Sequence, residues 1–258
     1  MSRPFVLVTG DDSVRAEGII LVKRIIEKFA DFKIIATKEQ QSAVGGKMNF
    51  RGGSWGKEIV DGVETIWVDG SPVDSVKFAF SYLDRKPDMV ISGMNTGENV
   101  DNSTMASGTF NAALQATFCH KIPSIAFSKE VDINDFSWLE SHNGDFRDEL
   151  IEYPGILMEK IIKLFLKEIS IWRGLWNVNF PVESTDKIKF TVNYSNNYFP
   201  NRVKIEPERY SYINESNVQD IQPDSDVRAL LDNFASITPV RWQLTDDTEL
   251  ERLRKISL

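Results

Sequence analysis

Short apolar runs alternate with segments of helical periodicity through the first 180 residues, and no other feature constrains the fold as much. The apolar runs predict six strands, at residues 5–9, 33–37, 65–68, 89–92, 124–128 and 177–180. Apolar side chains recur at helical spacing in residues 16–30, 75–83, 109–119 and 155–168. Strands alternating with helices of this length form βαβ units, so we expect an α/β fold with a mostly parallel sheet covered on both faces.

From about residue 187 the sequence changes to polar, β-prone stretches at residues 188–194 and 203–213. A chain of 258 residues, 41% of them hydrophobic, can fill the core of one large α/β domain. The later stretches lack a continuous apolar content of their own. We therefore expect residues 1–186 to form the core and residues 187–258 to form a hairpin-bearing C-terminal extension of the same domain, able to mediate oligomerisation.

Composition argues against several classes of function. The formal charge of -8 comes from 30 basic and 38 acidic residues, and no cluster of Lys and Arg forms a stripe for a nucleic-acid polymer. No apolar run approaches the roughly 18 residues of a membrane span. The single Cys119 and the absence of a leader pattern predict a cytoplasmic protein. With only His120 and His142, a bound metal should have oxygen ligands.

Two adjacent aspartates, Asp11 and Asp12, follow directly on the first predicted strand. Ligands of open α/β sheets bind at the carboxyl ends of strands. Gly10 permits a turn through which both carboxylates converge on one point. Carboxylates held this close repel unless a cation or a proton lies between them. The alternative is that Asp12 caps the following helix while Asp11 is solvated.

Two later segments bring further polar groups to the same edge of the sheet. Asn95 follows a buried strand between two glycines, so it either favours a left-handed turn or offers a neutral oxygen to Mg²⁺ or Mn²⁺ beside the aspartates. Ser107, Gly108 and Thr109 stand where a helix is predicted to begin, and free backbone amides there attract phosphate. Ordinary helix capping would need only one of these three residues.

A competing pattern surrounds Ser54, whose glycine-rich segment fits the nucleophile elbow of serine hydrolases. That motif requires a strand before the serine and a helix after it, and the sequence predicts neither clearly. A catalytic triad would also require His120 or His142 as its base, and neither has an evident acid to orient it. A serine esterase is therefore the less favoured alternative.

Seven ordered segments together resemble the SurE family, the metal-dependent survival-protein 5′-nucleotidases. The two most specific are residues 92–99 (SGMNTGEN) and 107–109 (SGT). The others are residues 9–12 followed by Gly18, and residues 36–43, 70–76, 177–181 and 236–239. The chain departs from the family pattern at Gly10, where the family has Asn, and at Ser13, where it has Gly. Thr37, Lys38 and the segment 45–62 also differ.

The resemblance implies a Rossmann-like three-layer core, hydrolysis of nucleoside monophosphates and one divalent metal ion per subunit, Mg²⁺ or Mn²⁺. It also implies a homodimer or homotetramer assembled partly by a C-terminal β-hairpin. Carried over by position, Asp11 and Asp12 would be catalytic as well as metal-binding. The full set of implied metal ligands is Asp11, Asp12, Ser42 and Asn95, and the implied phosphate-binding residues are Ser107, Gly108 and Thr109.

The route of hydrolysis stays open between direct attack by water and an aspartyl-phosphate intermediate. Direct attack is preferred because no strong base is evident in the sequence. Besides the serine esterase, a second alternative is a non-catalytic nucleotide-binding protein that has lost turnover through the changes at Gly10 and Ser13.

Overall fold

The computed structural model describes residues 3–131, 146–171, 174–194, 198–199, 203–212, 216, 219–241 and 243–256; His142 lies outside them. Nine strands form the central sheet: β1 (Phe5–Thr9), β2 (Asp31–Thr37), β3 (Trp55–Val60), β4 (Val63–Val68), β5 (Met89–Thr96), β6 (Ser124–Lys129), β7 (Leu175–Phe180), β8 (Ile188–Phe190) and β11 (Ala235–Val240). Their order across the sheet is β3-β4-β2-β1-β5-β6-β7-β11-β8. A separate hairpin consists of β9 (Val203–Glu206) and β10 (Arg209–Tyr212).

The described residues form six α-helices: α1 (Glu17–Ile26), α2 (Pro72–Tyr82), α3 (Gly108–Leu114), α4 (Ile156–Glu168), α5 (Asp226–Leu231) and α6 (Asp247–Leu253). A 3₁₀ helix, Asp101–Met105, precedes α3, which continues into a π-helical turn, Gln115–Cys119. A second π-helical turn, Ile151–Gly155, leads into α4. Within the described residues, no helix has the length and apolar content needed to cross a membrane.

The predicted α/β fold is confirmed. All six predicted strands are present, and β4, β2, β1, β5, β6 and β7 run parallel to their neighbours in that order. Two strands that the periodicity did not predict, β3 and β11, pair antiparallel with β4 and β7. The sheet is therefore mostly parallel, with antiparallel pairing only toward its two sides.

Helices cover both faces of the sheet, so the fold has three layers, with the sheet in the middle. Alternate residues of β1 show this: Val8 packs in one apolar cluster with Leu21 of α1, whereas Leu7 packs in another with Val76 of α2. Because strand side chains alternate between faces, both sets must be apolar when helices cover both sides. The near-continuous apolar runs of the sequence follow from this arrangement.

The C-terminal extension contributes to the same sheet. β11 pairs with β7, and β8 pairs with β11, so both strands of the extension are part of the central sheet. Among the strands of the described residues, the β9–β10 hairpin alone lies outside the central sheet, and all of its described residues are exposed. The hairpin expected from residues 203–213 is thus present, whereas in the stretch 188–194 the residues Ile188–Phe190 form an edge strand.

Candidate active site

The chain changes direction across the sheet at β1. After β1 it builds β2 and β4 on one side, and it then crosses to β5, β6 and β7 on the other. Open α/β sheets bind ligands at the carboxyl ends of the strands flanking such a switch point. Asp11 and Asp12 follow β1, and Asn95 lies near the end of β5. The three residues therefore meet where the topology places a site.

Asp11 is nearly buried, with 3% of its surface exposed. The hydroxyl of Thr109 donates a hydrogen bond to its Oδ1, and the amide of Gln41 donates to its backbone oxygen at 2.7 Å. Burial raises the pKa of Asp11, while hydrogen bonds from Thr109 and from the Gly108 amide oppose part of that rise. Buried carboxylates in proteins are usually paired or bound to a metal, so this one is suited to a cation.

Asp12 is half-buried beside Asp11 and has different partners. Its Oδ2 accepts a hydrogen bond from the Thr96 amide at 3.1 Å, and its Oδ1 accepts one from Nε2 of Gln40 at 3.4 Å. Burial, followed by the charge of Asp11, raises the pKa of Asp12 to about 7. The N-cap of α1 is Ala16, so Asp12 does not cap that helix. The alternative in which Asp12 caps α1 and Asp11 is solvated is therefore wrong.

Asn95 was expected at the tip of a turn, and the structure corrects this. β5 continues to Thr96, and its pairing with β6 shifts between Ser92 and Asn95, as at a β-bulge. A bulge redirects a side chain without ending the strand. The Nδ2 of Asn95 donates to the carbonyls of Thr96 and Gly97, at 3.1 and 2.7 Å, while its Oδ1 lies 3.3 Å from the Thr109 hydroxyl. The amide oxygen thereby faces the carboxylate pair.

The start of α3 packs directly against Asp11. Ser107 is the N-cap, and its hydroxyl accepts a hydrogen bond from the Phe110 amide at 3.0 Å. A Cβ on Gly108 would lie 2.7 Å from Oδ2 of Asp11, so only glycine lets the helix approach this closely. The positive end of α3 thus faces the carboxylate. A phosphate bound by residues 107–109 would lie next to Asp11.

Ser42 lies apart from the hydrogen-bonded cluster of Asp11, Asn95 and Thr109. It is exposed in a turn of the loop after β2. That loop is tied to the site on both sides of Ser42, because Gln41 donates to Asp11 and the Gly45 amide donates to the Ala106 carbonyl at 2.7 Å. The structure therefore brings the backbone of this loop to the site, whereas no hydrogen bond joins the Ser42 hydroxyl to the other described site residues.

A buried network of asparagines holds the segment that follows Asn95, and the sequence offered no role for it. The Asn99 amide donates to Oδ1 of Asn179 at 2.7 Å, and the Asn99 carbonyl accepts from Nδ2 of Asn177 at 2.7 Å. The Asn99 side chain donates to the Ser128 hydroxyl at 2.8 Å. Polar residues within the otherwise apolar strand β7 were the signal that could have indicated it. The network anchors the loop after Asn95 to β6 and β7.

Glu98, in the same loop, should make stability depend on pH. Burial, followed by the charges of Glu130 and Asp101, raises the pKa of Glu98 to about 7. A raised pKa means that the folded state binds the proton more tightly, so stability should fall as pH rises from about 4.5 to 7. Replacing Glu98 by Gln should flatten this decrease and raise the Tm relative to wild type at pH 8. Thermal unfolding at pH 5, 6, 7 and 8 measures both; parallel Tm curves would contradict the expectation.

The donor set fits a hard divalent cation. Among the described residues, no three His, Cys, Asp or Glu side chains are grouped to hold a metal, so a zinc-type centre is not indicated there. The site instead offers two carboxylates and the neutral oxygen of Asn95, and Mg²⁺ and Mn²⁺ commonly take such a set together with water. Burial raises the pKa values of Asp11 and Asp12, and a cation bound between them would favour their ionised forms.

The geometry around Ser54 does not form a nucleophile elbow. Ser54 directly precedes β3, which is a strand and not a helix. Its hydroxyl donates to Oδ2 of Asp69 at 3.1 Å, and His120 stacks instead on Phe80 with ring centroids 4.0 Å apart. Of the two histidines required by the esterase hypothesis, His120 is engaged elsewhere and His142 is outside the described residues.

Comparison with known proteins identifies the family. The family model described as Survival protein SurE matches residues 6–199. The chain belongs to the SurE family. Its relatives named 5′-nucleotidase SurE include one from Methanocorpusculum labreanum. The two sequences are 31% identical, and the match covers 100% of this chain and 99% of the relative. A second, from Methanopyrus kandleri, is 32% identical, with 95% of this chain and 94% of the relative covered. The solved SurE protein from Aquifex aeolicus has the same fold, with a TM-score of 0.75 and 23% sequence identity. The match covers 98% of this chain and 100% of that protein.

One departure from the SurE pattern has a visible structural consequence. Ser13 stands where the family pattern has Gly, and its φ of 81° lies in the left-handed region that favours glycine. Its amide donates to the Thr37 hydroxyl at 3.2 Å, and its own hydroxyl accepts from the Arg15 amide at 3.2 Å. These hydrogen bonds help to hold Ser13 in the conformation for which glycine is better suited.

Replacing Thr109 by Ala should reduce kcat/KM for phosphate release by about ten- to a hundred-fold, because a hydrogen bond to a charged group contributes about 1.5–3 kcal/mol. Thr109→Ser is the matched control, since it retains the hydroxyl, and it should recover most of the activity. Metal titration by calorimetry decides how Thr109 acts. Weakened metal binding in Thr109→Ala would show that it orients Asp11, and unchanged binding would show a role toward phosphate. Unchanged kinetics would contradict both.

Proposed function

We propose that this chain is a divalent-metal-dependent phosphomonoester hydrolase, most specifically a 5′-nucleotidase that releases phosphate from nucleoside monophosphates. The observation that carries the proposal is the aspartate pair beside Asn95 and Thr109 at the switch point between β1 and β5. The names of the SurE relatives support the substrate class.

In this proposal Asp11, Asp12 and Asn95 hold one Mg²⁺ or Mn²⁺ per subunit, with Ser42 as a further ligand from the loop after β2. When bound, the cation would neutralise phosphoryl oxygens and lower the pKa of a bound water. Thr109 keeps Oδ1 of Asp11 oriented, and two backbone carbonyls hold the Nδ2 of Asn95. The protein's oxygens are thus arranged before substrate arrives, which lowers the cost of reorganisation.

Residues 107–109 are proposed to bind the phosphate. The amides and dipole at the start of α3 attract negative charge. Direct in-line attack by water is preferred over an aspartyl-phosphate, because both aspartates are assigned to the cation and little covalent chemistry is required of the protein. His120 does not offer a base, since it lies beyond the far end of α3 and stacks on Phe80.

The β9–β10 hairpin is proposed to assemble the chain into a homodimer or homotetramer. Ile205 is 80% exposed on β9, and Tyr210 and Tyr212 are exposed on β10. A two-stranded hairpin is at best marginally stable alone in water, and exposed apolar residues of this size favour burial against a second chain. Sedimentation of the wild type against Ile205→Asp with Tyr212→Asp tests this, and equal masses would exclude the hairpin as the interface.

Phosphate release from nucleoside monophosphates, with and without chelator, tests the activity. We expect release that is lost with chelator and restored by Mg²⁺ or Mn²⁺. Chelator-resistant ester hydrolysis that disappears in Ser54→Ala would instead favour the serine esterase. Nucleotide binding without release under any metal would favour the non-catalytic alternative.

A further inference from the structure

A cavity of about 270 Å³ opens near the carboxyl end of β4, and neither the aspartate pair nor residues 107–109 are part of its wall. It lies between the glycine-rich turn before β3, the end of β4 and the first turns of α2. Trp55 and Phe78 line it, together with Asp69 and Asp74. Its volume is slightly below the roughly 300 Å³ at which pockets for drug-sized ligands begin, so it suits one bicyclic ring better than a whole nucleotide.

The apolar wall of the cavity is a cluster of three aromatic rings. Trp55 lies 5.2 Å from Phe78 and 5.4 Å from Tyr82, measured between ring centroids, and Phe78 stacks on Tyr82. This cluster holds the Trp55 ring in place, yet 46% of Trp55 remains exposed. A fixed aromatic ring that is open on one side is a stacking surface for a planar ligand, and such stacking is tolerant of the identity of the base.

The polar groups of the cavity are acidic and differ in availability. The Asp74 carboxylate accepts hydrogen bonds from the Ser71 amide and hydroxyl and from the Asn49 amide. Oδ2 of Asp69 accepts one from the Ser54 hydroxyl, and in the described part of the chain no hydrogen bond reaches its Oδ1. Two carboxylates disfavour a second phosphate here, whereas a neutral ring that carries N–H donors would be stabilised by Asp69.

The cavity and the proposed phosphate site lie on either side of the first turn of α2. A Cβ on Gly108 would lie 2.7 Å from Oδ2 of Asp11 and 2.9 Å from Cγ of Pro72, so Asp11 and Pro72 flank the same point. Pro72 begins α2, and Asp74 in the same turn lines the cavity. One helical turn advances about 5.4 Å along its axis. A ribose with its 5′ linkage covers a span of that order.

One loop connects the two places. The Gln41 amide donates to the backbone of Asp11, the Ser71 hydroxyl donates to the Lys47 carbonyl, and the Asn49 amide donates to Asp74. This loop, between β2 and β3, overlaps the first part of the segment 45–62 in which the chain departs from the SurE pattern. Half of the residues that line the cavity, Asn49, Gly52, Gly53, Ser54 and Trp55, belong to that segment.

We propose that this cavity, the base cavity, binds the purine ring of the substrate, stacked on Trp55 with its N–H edge donating to Asp69. The proposal rests on the nucleotidase function proposed above. Guanine fits best, because its ring N–H and amino group lie side by side and match the two oxygens of a carboxylate, whereas adenine presents one amino group there. The base cavity thus selects guanosine over adenosine monophosphate.

The test compares kcat/KM for GMP, AMP and ribose 5-phosphate, which lacks a base. Wild type should prefer GMP over ribose 5-phosphate by about tenfold or more, and Trp55→Ala should lower this ratio about tenfold. Asp69→Asn should lower the ratio of GMP to AMP by about tenfold. Phe50→Ala is the matched control: Phe50 is 90% exposed on the same loop and does not line the cavity, so both ratios should stay within about twofold.

Ratios of kcat/KM within one preparation do not depend on the fraction of folded enzyme, so partial unfolding of Trp55→Ala would not mimic the expected result. Phosphate release from all three substrates with unchanged ratios in Trp55→Ala and Asp69→Asn would overturn the base cavity alone. Release from none of them by wild type, with either metal, would overturn the nucleotidase function and the base cavity together.

Discussion

Replacing Asp11 by Asn is expected to reduce metal-dependent phosphate release by about a thousandfold or more, since the carboxylate charge that holds the cation is lost. Asn has nearly the shape of Asp, and its Oδ1 can still accept the Thr109 hydroxyl. The change therefore removes charge while preserving geometry. Asp12→Asn should have a similar effect. Phosphate release at saturating Mg²⁺ and Mn²⁺ measures both.

Thermal unfolding of the metal-free proteins provides the control. Removing one of two mutually repelling carboxylates should leave the Tm unchanged or raise it, because burial and the neighbouring charge already disfavour ionisation at this site. Loss of activity with a preserved Tm would then reflect lost metal binding. Near-wild-type turnover of either variant at low metal concentration would show that the cation binds elsewhere.

Gly18→Ala is expected to destabilise the fold by about 3 kcal/mol, near the upper end for overpacking of a close contact. A Cβ at Gly18 would lie 1.9 Å from the carbonyl oxygen of Met94 and 2.8 Å from its carbonyl carbon. These are backbone atoms of β5, so the new methyl group cannot be accommodated by a side-chain rotation. The Tm should fall by about 6–12 °C for a domain of this size.

Gly46→Ala is the matched control for that prediction. The nearest atom to a Cβ at Gly46 is Oδ1 of Asn111 at 3.4 Å, which is an ordinary contact. Its unfolding free energy should stay within about 0.5 kcal/mol of wild type. Because Met94 precedes Asn95, Gly18→Ala should also weaken metal binding, and an unchanged Tm in this variant would mean that α1 lies farther from β5 than the structure indicates.

The strands that could be predicted from sequence are those buried on both faces. β1 is a nearly continuous apolar run, and every residue of β6 is buried, because helices cover both sides of the sheet. β3 was not predicted, because as an edge strand it alternates between exposed and half-buried positions and contains glycine, lysine and glutamate. β11 was missed for a related reason: it carries Ser236, Thr238 and Pro239, and its pairing with β7 and β8 makes it a strand.

For the candidate site, the residues could be predicted from sequence better than their contacts. Asp11 and Asp12 were expected after β1 because carboxyl ends of strands form the working edge of such sheets. The hydrogen bond from Thr109 to Asp11, which the sequence did not predict, requires the close approach of α3 at Gly108. This contact joins residues that are 98 positions apart in the sequence. The local periodicity of the sequence cannot predict a contact between such distant residues.

The sequence by itself determined the α/β class, the order of its central elements and the family, because apolar periodicity and short motifs are local properties that survive without coordinates. Only the tertiary structure decided that Asn95 lies on a bulged strand, that Asn99 is anchored by Asn177 and Asn179, and that Trp55 and Asp69 share a cavity. These features depend on side chains brought together by packing between distant segments. Sequence spacing does not specify such contacts. They are set by the register of the sheet and by the packing of the helices against it.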